Sequence, residues 1–291
     1  MTHQAKILIT GATGNIGGEL IKILSETGVH FNAMIRSGSE NKAISDMPGC
    51  SVVEGDFNDP ESVAVALTGM DKAFLLTNSS ELAEKQQLDF VIAAKKAGVK
   101  HIIKLSQWAA DIHSPVRFLR YHAVVENAIK ESGMAYTILR PNLFMQGLLG
   151  FRDTIIGQNQ FFGAVGSARI SLIDIRDIAR VAAAALTAAG HENKIYNLTG
   201  PEALTHAEMA DKLSVATGRK IDFVDISPKV LREILLSVGF PGWQAEGLVE
   251  DYAHYKLGEA AEVKDGVFEA TGGETINFST FAADYSHLFT P

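Results

Sequence analysis

The chain has 291 residues, 46% hydrophobic and 21% charged, an ordinary globular balance that suffices for a large domain carrying a smaller one. A formal net charge of -8 argues against a general nucleic-acid binder. Cys50 is the only cysteine, which excludes an internal disulfide and a thiolate metal cluster and fits a reducing, cytoplasmic setting; no metal site is expected.

"MTHQAK" enters a strand-like run at once, with no basic and apolar signal segment before it. "AKILIT" is that first strand, and "GGELIKILSETG" follows with helical spacing of Leu20, Ile23 and Leu24. "VHFNAMIR" and "SVVEGDF" read as strands, and "PESVAVALTGM" as a helix with proline at its start. "KAFLLTN" is a fourth strand, "ELAEKQQLDFVIAAKKAG" a long amphipathic helix, and "KHIIKLS" a fifth strand. The helix "LRYHAVVENAIKESG" and the strand "AYTILRP" complete the series. Strands separated by helices of this length predict right-handed crossovers and a parallel sheet covered on both faces.

After Pro141 the rhythm loosens into a glycine- and aromatic-rich stretch with no clear period. "RDIARVAAAALTAAG" then reads as a buried helix, too short to span a bilayer and broken by Arg180, so no membrane association is expected. "KIYNLTG" is a strand, and "THAEMADKLSVATG" carries a capping-box spacing of Thr205 and Glu208. Two further helical stretches lie around Lys229–Val238 and Ala245–Leu257. With no repeat and no Pro/Ser-rich linker, the two lobes are expected to be continuous and to share strands.

Between the first strand and helix, "ILITGATGNIGG" spaces Gly11, Gly14 and Gly17 three apart. The strand must turn sharply, a pyrophosphate must approach the backbone, and the helix must pack close to the sheet. A side chain would obstruct each of these. The helix N-terminus offers unpaired N–H groups to an anion, so Gly11, Thr13, Gly14, Asn15, Ile16 and Gly17 form a candidate phosphate cradle.

"TGATGNIGG", "KLS", "HAVVENAIKESGMAYTILRPNLFMQ", "SLIDIRDIA" and "NLTGPEALT" together resemble the NmrA-like, atypical branch of the short-chain dehydrogenase/reductase superfamily. Within it the chain is similar to the group containing triphenylmethane reductase and NAD(P)H quinone reductases, over nearly its whole length. The resemblance implies an α/β fold: a Rossmann-type, doubly wound parallel sheet with a small C-terminal α/β substrate lobe. Residues 1–141 are expected to bind NADP(H), with strands from about 171–199 returning to the sheet; 142–170 and 200–291 would form the substrate lobe. The branch holds both working reductases and proteins that only sense the cofactor.

At the end of the second strand, about 20 residues past the last cradle glycine, stands Arg36 rather than an acid, followed by Ser37 and Ser39. A guanidinium pairs with a 2′-phosphate that a carboxylate would repel, so NADP(H) is expected over NAD(H). Asp56 either accepts from the adenine amino group, with Phe57 packed on the ring, or caps the helix at Pro60. Thr77 and Asn78 should lie at the carboxyl edge of the sheet near the pyrophosphate and ribose.

The tyrosine–lysine pair of many short-chain dehydrogenases is absent, since Tyr121 is followed four places on by Val125. His122 and Glu126 share a helix face instead, a pattern that the resemblance makes usual for the branch. His122 either donates a proton or orients a substrate, or is a structural histidine held by Glu126. Tyr252 and Lys256 reproduce the missing spacing in the C-terminal lobe, and no catalytic role is assigned to them. Ser106 ends the fifth strand near the nicotinamide ribose or the substrate, and Lys104 either snorkels outward or reaches the cofactor. By resemblance, the backbone after Pro141 lies near the nicotinamide, with Asn142 holding its carboxamide and Leu143 and Phe144 alongside. Gln107, Trp108, Met145, Phe162 and Trp243 are expected to line a wide apolar pocket, with the Asn142–Gly166 segment closing over it as a lid. The function that follows is an NADPH-dependent reductase of a quinone, dye or other small, flat conjugated acceptor. The alternative is a non-catalytic NADP(H)-sensing protein that binds a partner.

Overall fold

The computed structural model describes residues 6–38 and 42–290; Ser39 and the start of "MTHQAK" lie outside the described residues. Strands β1 (Ile7–Ile9), β2 (Phe31–Ile35), β3 (Cys50–Glu54), β4 (Lys72–Leu75), β5 (His101–Leu105) and β6 (Ala135–Pro141) join β8 (Lys194–Leu198) in one sheet. Its order is β3-β2-β1-β4-β5-β6-β8, and every neighbouring pair is parallel. The strand order reverses between β1 and β4, which opens a crevice at their carboxyl ends.

Both faces of the sheet are covered, which is why its central strands read as unbroken apolar runs. Ile7 and Ile9 point into a core with α1 (Asn15–Glu26), the short α2 (Lys42–Ser45), α7 (Ile175–Thr187) and α11 (Gly266–Thr271). Leu8 points the other way, into a core with α3 (Pro60–Ala66), α4 (Ala83–Ala97) and α5 (Arg117–Glu131). The alanine-rich segment is α7, buried against α1; among the described residues no helix is long and apolar enough to cross a membrane.

The stretch after Pro141, which shows no period, is three short elements: a 3₁₀ helix (Met145–Phe151), α6 (Arg152–Gln158) and β7 (Gln160–Gly163). Each is too short for a repeat to declare itself. β7 pairs in parallel with β9 (Asp222–Asp225), and a second core forms around Phe161, Leu213, Phe278 and Phe281. Around it stand α8 (His206–Thr217), with the capping box of Thr205 and Glu208 formed, α10 (Gly242–Lys256) and α12 (Phe278–Tyr285), while α9 (Pro228–Ser237) packs on α10 through Leu231 and Leu235. α10 reaches back to the large sheet. Arg117, at the start of α5, pairs with Glu250 at 2.7 Å and donates to the Trp243 carbonyl at 3.1 Å.

Candidate active site

The turn after β1 is shaped by glycine. Gly11 sits at φ +67, and a Cβ there would approach Leu76 Cγ to 2.9 Å. A Cβ on Gly17 would overlap the Gly11 carbonyl, so α1 enters as close to the loop as backbone allows. Gly14 takes the N-cap of α1 without a side-chain cap, and no acidic residue lies in the first turn. The orphan N–H groups and the positive end of the helix therefore face the crevice, as a pyrophosphate requires. Thr10 Oγ1 accepts from Leu76 N at 2.9 Å and lies 2.9 Å from the Phe74 carbonyl, pinning β1 to β4 at the switch point. Gly11, Thr13, Gly14 and Asn15 line a cavity of about 480 Å³, with Thr77 and Asn78 opposite.

A second cavity, about 250 Å³, adjoins the first and shares Ile16, Leu76, Thr77 and Phe144 with it. Its floor is the carboxyl ends of β5 and β6: Leu105, Ser106, Gln107, Pro141, Asn142 and Leu143. One wall is α5, through Phe118, Tyr121 and His122; the facing wall is α10, through Gln244, Leu248, Asp251 and Tyr255. Gln87 Nε2 donates to Thr77 Oγ1 at 2.7 Å, while its buried Oε1 has no partner among the described residues and is left to accept from a ligand.

Behind the floor runs a chain of charge. Arg140 grips Glu126 through two bonds, 2.9 and 2.6 Å, and Ser106 Oγ donates to the same carboxylate at 2.6 Å. Burial pushes Glu126 up, but the bonds from Arg140 and Ser106 outweigh it and hold the carboxyl below its usual range. Lys104 is fully buried. Its Nζ donates to the Leu105 carbonyl at 3.0 Å and lies 2.8 Å from His122 Nδ1. Burial, against the pull of Glu126, lowers the ammonium to about 7. Burial and then the charge of Lys104 hold His122 well below the usual histidine range, so the ring is neutral at pH 7. While Lys104 is an ammonium it donates to Nδ1, which leaves the ring hydrogen on Nε2; that nitrogen has no partner among the described residues.

A model of the NmrA-like family matches residues 3–277. The chain belongs to the NmrA-like family. It is 35% identical to an NAD(P)H azoreductase of Xenophilus azovorans, over 97% of this chain and 99% of that protein. It is 32% identical to quinone oxidoreductase 2 of Escherichia coli, over 97% and 98%. The crystal structure of Citrobacter triphenylmethane reductase complexed with NADP(H) matches with a TM-score of 0.85 at 28% identity, over 96% of this chain and 99% of that one. The chain is thus an oxidoreductase that depends on a nicotinamide dinucleotide.

In this NmrA-like oxidoreductase several side chains differ from their expected roles. His122 is held by Lys104, not by Glu126, because Glu126 is saturated by Arg140 and Ser106. Lys104 does not snorkel outward: it is fully buried and lines neither cavity. Asn142 spends both amide hydrogens inside the protein, Nδ2 donating to Ser171 Oγ and the Ala260 carbonyl, both at 2.9 Å, while Oδ1 accepts from Leu143 N, so it has no N–H left for a carboxamide oxygen. It fastens the strand end to the C-terminal lobe. Asp59, not Asp56, caps α3; Asp56 Oδ1 instead accepts from Asn58 N at 2.9 Å. Phe57 packs on Phe90, with ring centroids 5.9 Å apart. Arg36 and Ser37 stand exposed just beyond β2.

Of the expected acceptor-pocket residues, Gln107 lines the smaller cavity and four do not. Trp108 is buried with Nε1 donating to the Glu259 carbonyl, and Met145 belongs to the second core. Phe162 packs on Phe151, and Trp243 buttresses Phe118 from behind. The Asn142–Gly166 segment contributes only its first three residues to this cavity. The covering element is α10, whose cleft-facing residues were missed because Gln244, Leu248, Asp251 and Tyr255 make no apolar stripe. Tyr252, on the same helix, faces away toward His206, 5.9 Å between centroids.

Proposed function

We propose that the protein reduces a small, flat, conjugated acceptor (a quinone, an azo compound or a dye) at the expense of NADPH in preference to NADH. The observation that carries this reading is the second cavity. It continues from the glycine cradle across the ends of β5 and β6, where a nicotinamide ring would follow its pyrophosphate, and a second lobe walls it off. When bound, the cofactor supplies a hydride. The chain's own residues do the rest. The α1 N-terminus and Thr13 to Gly17 hold the pyrophosphate, and Arg36, past β2, pairs with a 2′-phosphate. His122 offers Nε2–H to a polar atom of the acceptor, and α10 excludes water. No tyrosine relay is needed for an acceptor that is already electrophilic, and positioning supplies most of the rate.

Protein stripped of bound nucleotide and assayed for NADPH consumption over quinones, azo compounds and dyes tests the acceptor class, and turnover of at least one is expected. Titration with NADPH and NADH tests the preference. The Arg36 pair is worth about 1.5–3 kcal/mol, roughly ten- to a hundredfold in affinity. Arg36→Asp should abolish the difference, and equal affinities in the wild type would refute it.

A further inference from the structure

One wall of the acceptor cleft carries an acid that hydride transfer alone leaves without a use. Gln244, Leu248, Asp251 and Tyr255 are spaced four, three and four apart, so they form one stripe of α10, and all four line the cleft. Asp251 is only 4% exposed. Both of its oxygens accept from one neutral donor, Gln107 Nε2, at 3.1 and 2.9 Å.

A buried structural aspartate ordinarily has a cation against it. Asp174 has Arg176, and Asp177 has Arg180. Asp251 pairs with no cation among the described residues, and the nearby Arg117 is spent on Glu250 and Glu246. The groups facing it are Tyr121 and the neutral His122 on α5, Gln107 after β5, and Glu250, Tyr252 and Tyr255 on its own helix. The phenols are all raised by burial and uncharged at neutral pH, and Glu250 is a like charge. An ionised Asp251 would be a buried anion with no cation against it, so the site keeps the protonated acid up to about neutrality. Burial first, with Glu250 adding to it against the Gln107 bond, pushes the carboxyl up to about 7.

We propose that Asp251 is the proton donor to the reduced acceptor, which resting on the reductase reading makes it the acid of a hydride-plus-proton transfer. The acceptor gains the hydride at one end of its conjugated system, and the displaced electron pair moves to the oxygen or nitrogen at the other. The Asp251 O–H bond breaks, the proton forms the new O–H or N–H bond, and the electron pair stays on the carboxylate. The Gln107 N–H group holds that carboxylate until a solvent proton restores the acid. Summed, NADPH, one proton and the acceptor give NADP⁺ and the dihydro product. A cationic triarylmethane dye, which takes up hydride at carbon and needs no proton, bypasses Asp251.

The test compares a quinone with such a dye in wild type, Asp251→Asn and Gln107→Met. Asp251→Asn should lower the ratio of quinone to dye turnover by about a hundredfold or more, the scale of a lost general acid. In the wild type, quinone turnover should fall as pH rises through about 7, while dye turnover lacks that limb. Gln107→Met removes the bond that favours the carboxylate and should move the limb to higher pH. Without any acceptor, difference infrared spectroscopy should show a protonated carboxyl band that titrates with the same midpoint and is missing in Asp251→Asn. An unchanged quinone-to-dye ratio, or no titrating band, overturns the role of Asp251 while dye reduction leaves the reductase reading standing. Wild-type protein that binds NADPH and reduces neither acceptor overturns that reading and this assignment together.

Discussion

Gly247 of α10 packs against the ring of Phe118 on α5, and Gly247→Ala is expected to damage acceptor reduction without touching cofactor binding. A Cβ there would lie within 3 Å of three ring atoms of Phe118, the farthest of them, Cε2, at 2.9 Å. Phe118 has nowhere to go: it is 4% exposed and pressed between Tyr121 and Trp243, with centroids at 6.5 and 5.3 Å. Carbon atoms settle at about 3.5–4.0 Å, so α10 must move outward by about an ångström. Overpacking of this kind costs about 1–3 kcal/mol. Replacing a mid-helix glycine with alanine returns roughly 1 kcal/mol, so net destabilisation should be about 0–2 kcal/mol, and the protein should fold. The displacement moves Asp251 and Tyr255 with the helix, and an ångström at a reacting group costs up to about a hundredfold. Steady-state kinetics should show kcat/KM for a quinone falling by roughly 10- to 100-fold, with the NADPH dissociation constant unchanged. Gly242→Ala is the control, because nothing lies within 4 Å of a Cβ there. If both variants match wild type, α10 does not form the working wall of the site.

Gly17→Ala should do the reverse, since its Cβ overlaps the Gly11 carbonyl: titration should show NADPH affinity falling at least about tenfold, about 1.4 kcal/mol. Lys104→Met should stabilise the protein in a pH-dependent way. An unfolded lysine titrates near 10.4 and this one near 7 in the fold, so stability is lost as pH falls between those values and stays lost below. Urea unfolding at pH 6 should therefore show the variant ahead by about 1–4 kcal/mol, less the lost bond to His122, with the gain shrinking toward pH 10; an equal change at both pH values would refute the buried charge. Tyr252→Phe should leave turnover within a few-fold of wild type, because that ring faces His206 rather than the cleft. A hundredfold loss, with cofactor still bound, would show that the Tyr252–Lys256 spacing carries the relay.

The large sheet was legible because burial on both faces leaves a plain trace: short apolar strands, each followed by a helix with its own period. The cradle was legible because backbone crowding at Gly11 and Gly17 admits only one residue type. Of the second lobe, the helices α8, α9 and α10 were legible and the strands were not. β7 and β9 are four residues each and are defined by pairing with one another across the chain, which no local pattern encodes. His122 illustrates the limit of helix spacing. The i, i+4 rule pointed to Glu126, but tertiary structure gave Glu126 to Arg140 and brought Lys104 from β5. Asp251 was hidden for the opposite reason. Its helix stripe mixes amide, aliphatic, acid and phenol, and its only signal was an acid with a tyrosine four residues later on a helix of unknown partner.

The central claim is direct hydride transfer between a nicotinamide in the cradle and an acceptor under α10. Single-turnover reaction of protein bound to NADPH deuterated at the transferring position of the nicotinamide, mixed with a triarylmethane dye, measures it. The account predicts one deuterium on carbon in the leuco product, formed at the rate at which the cofactor is oxidised. Deuterium lost to solvent, or dye left unreduced with labelled cofactor still bound, would contradict it.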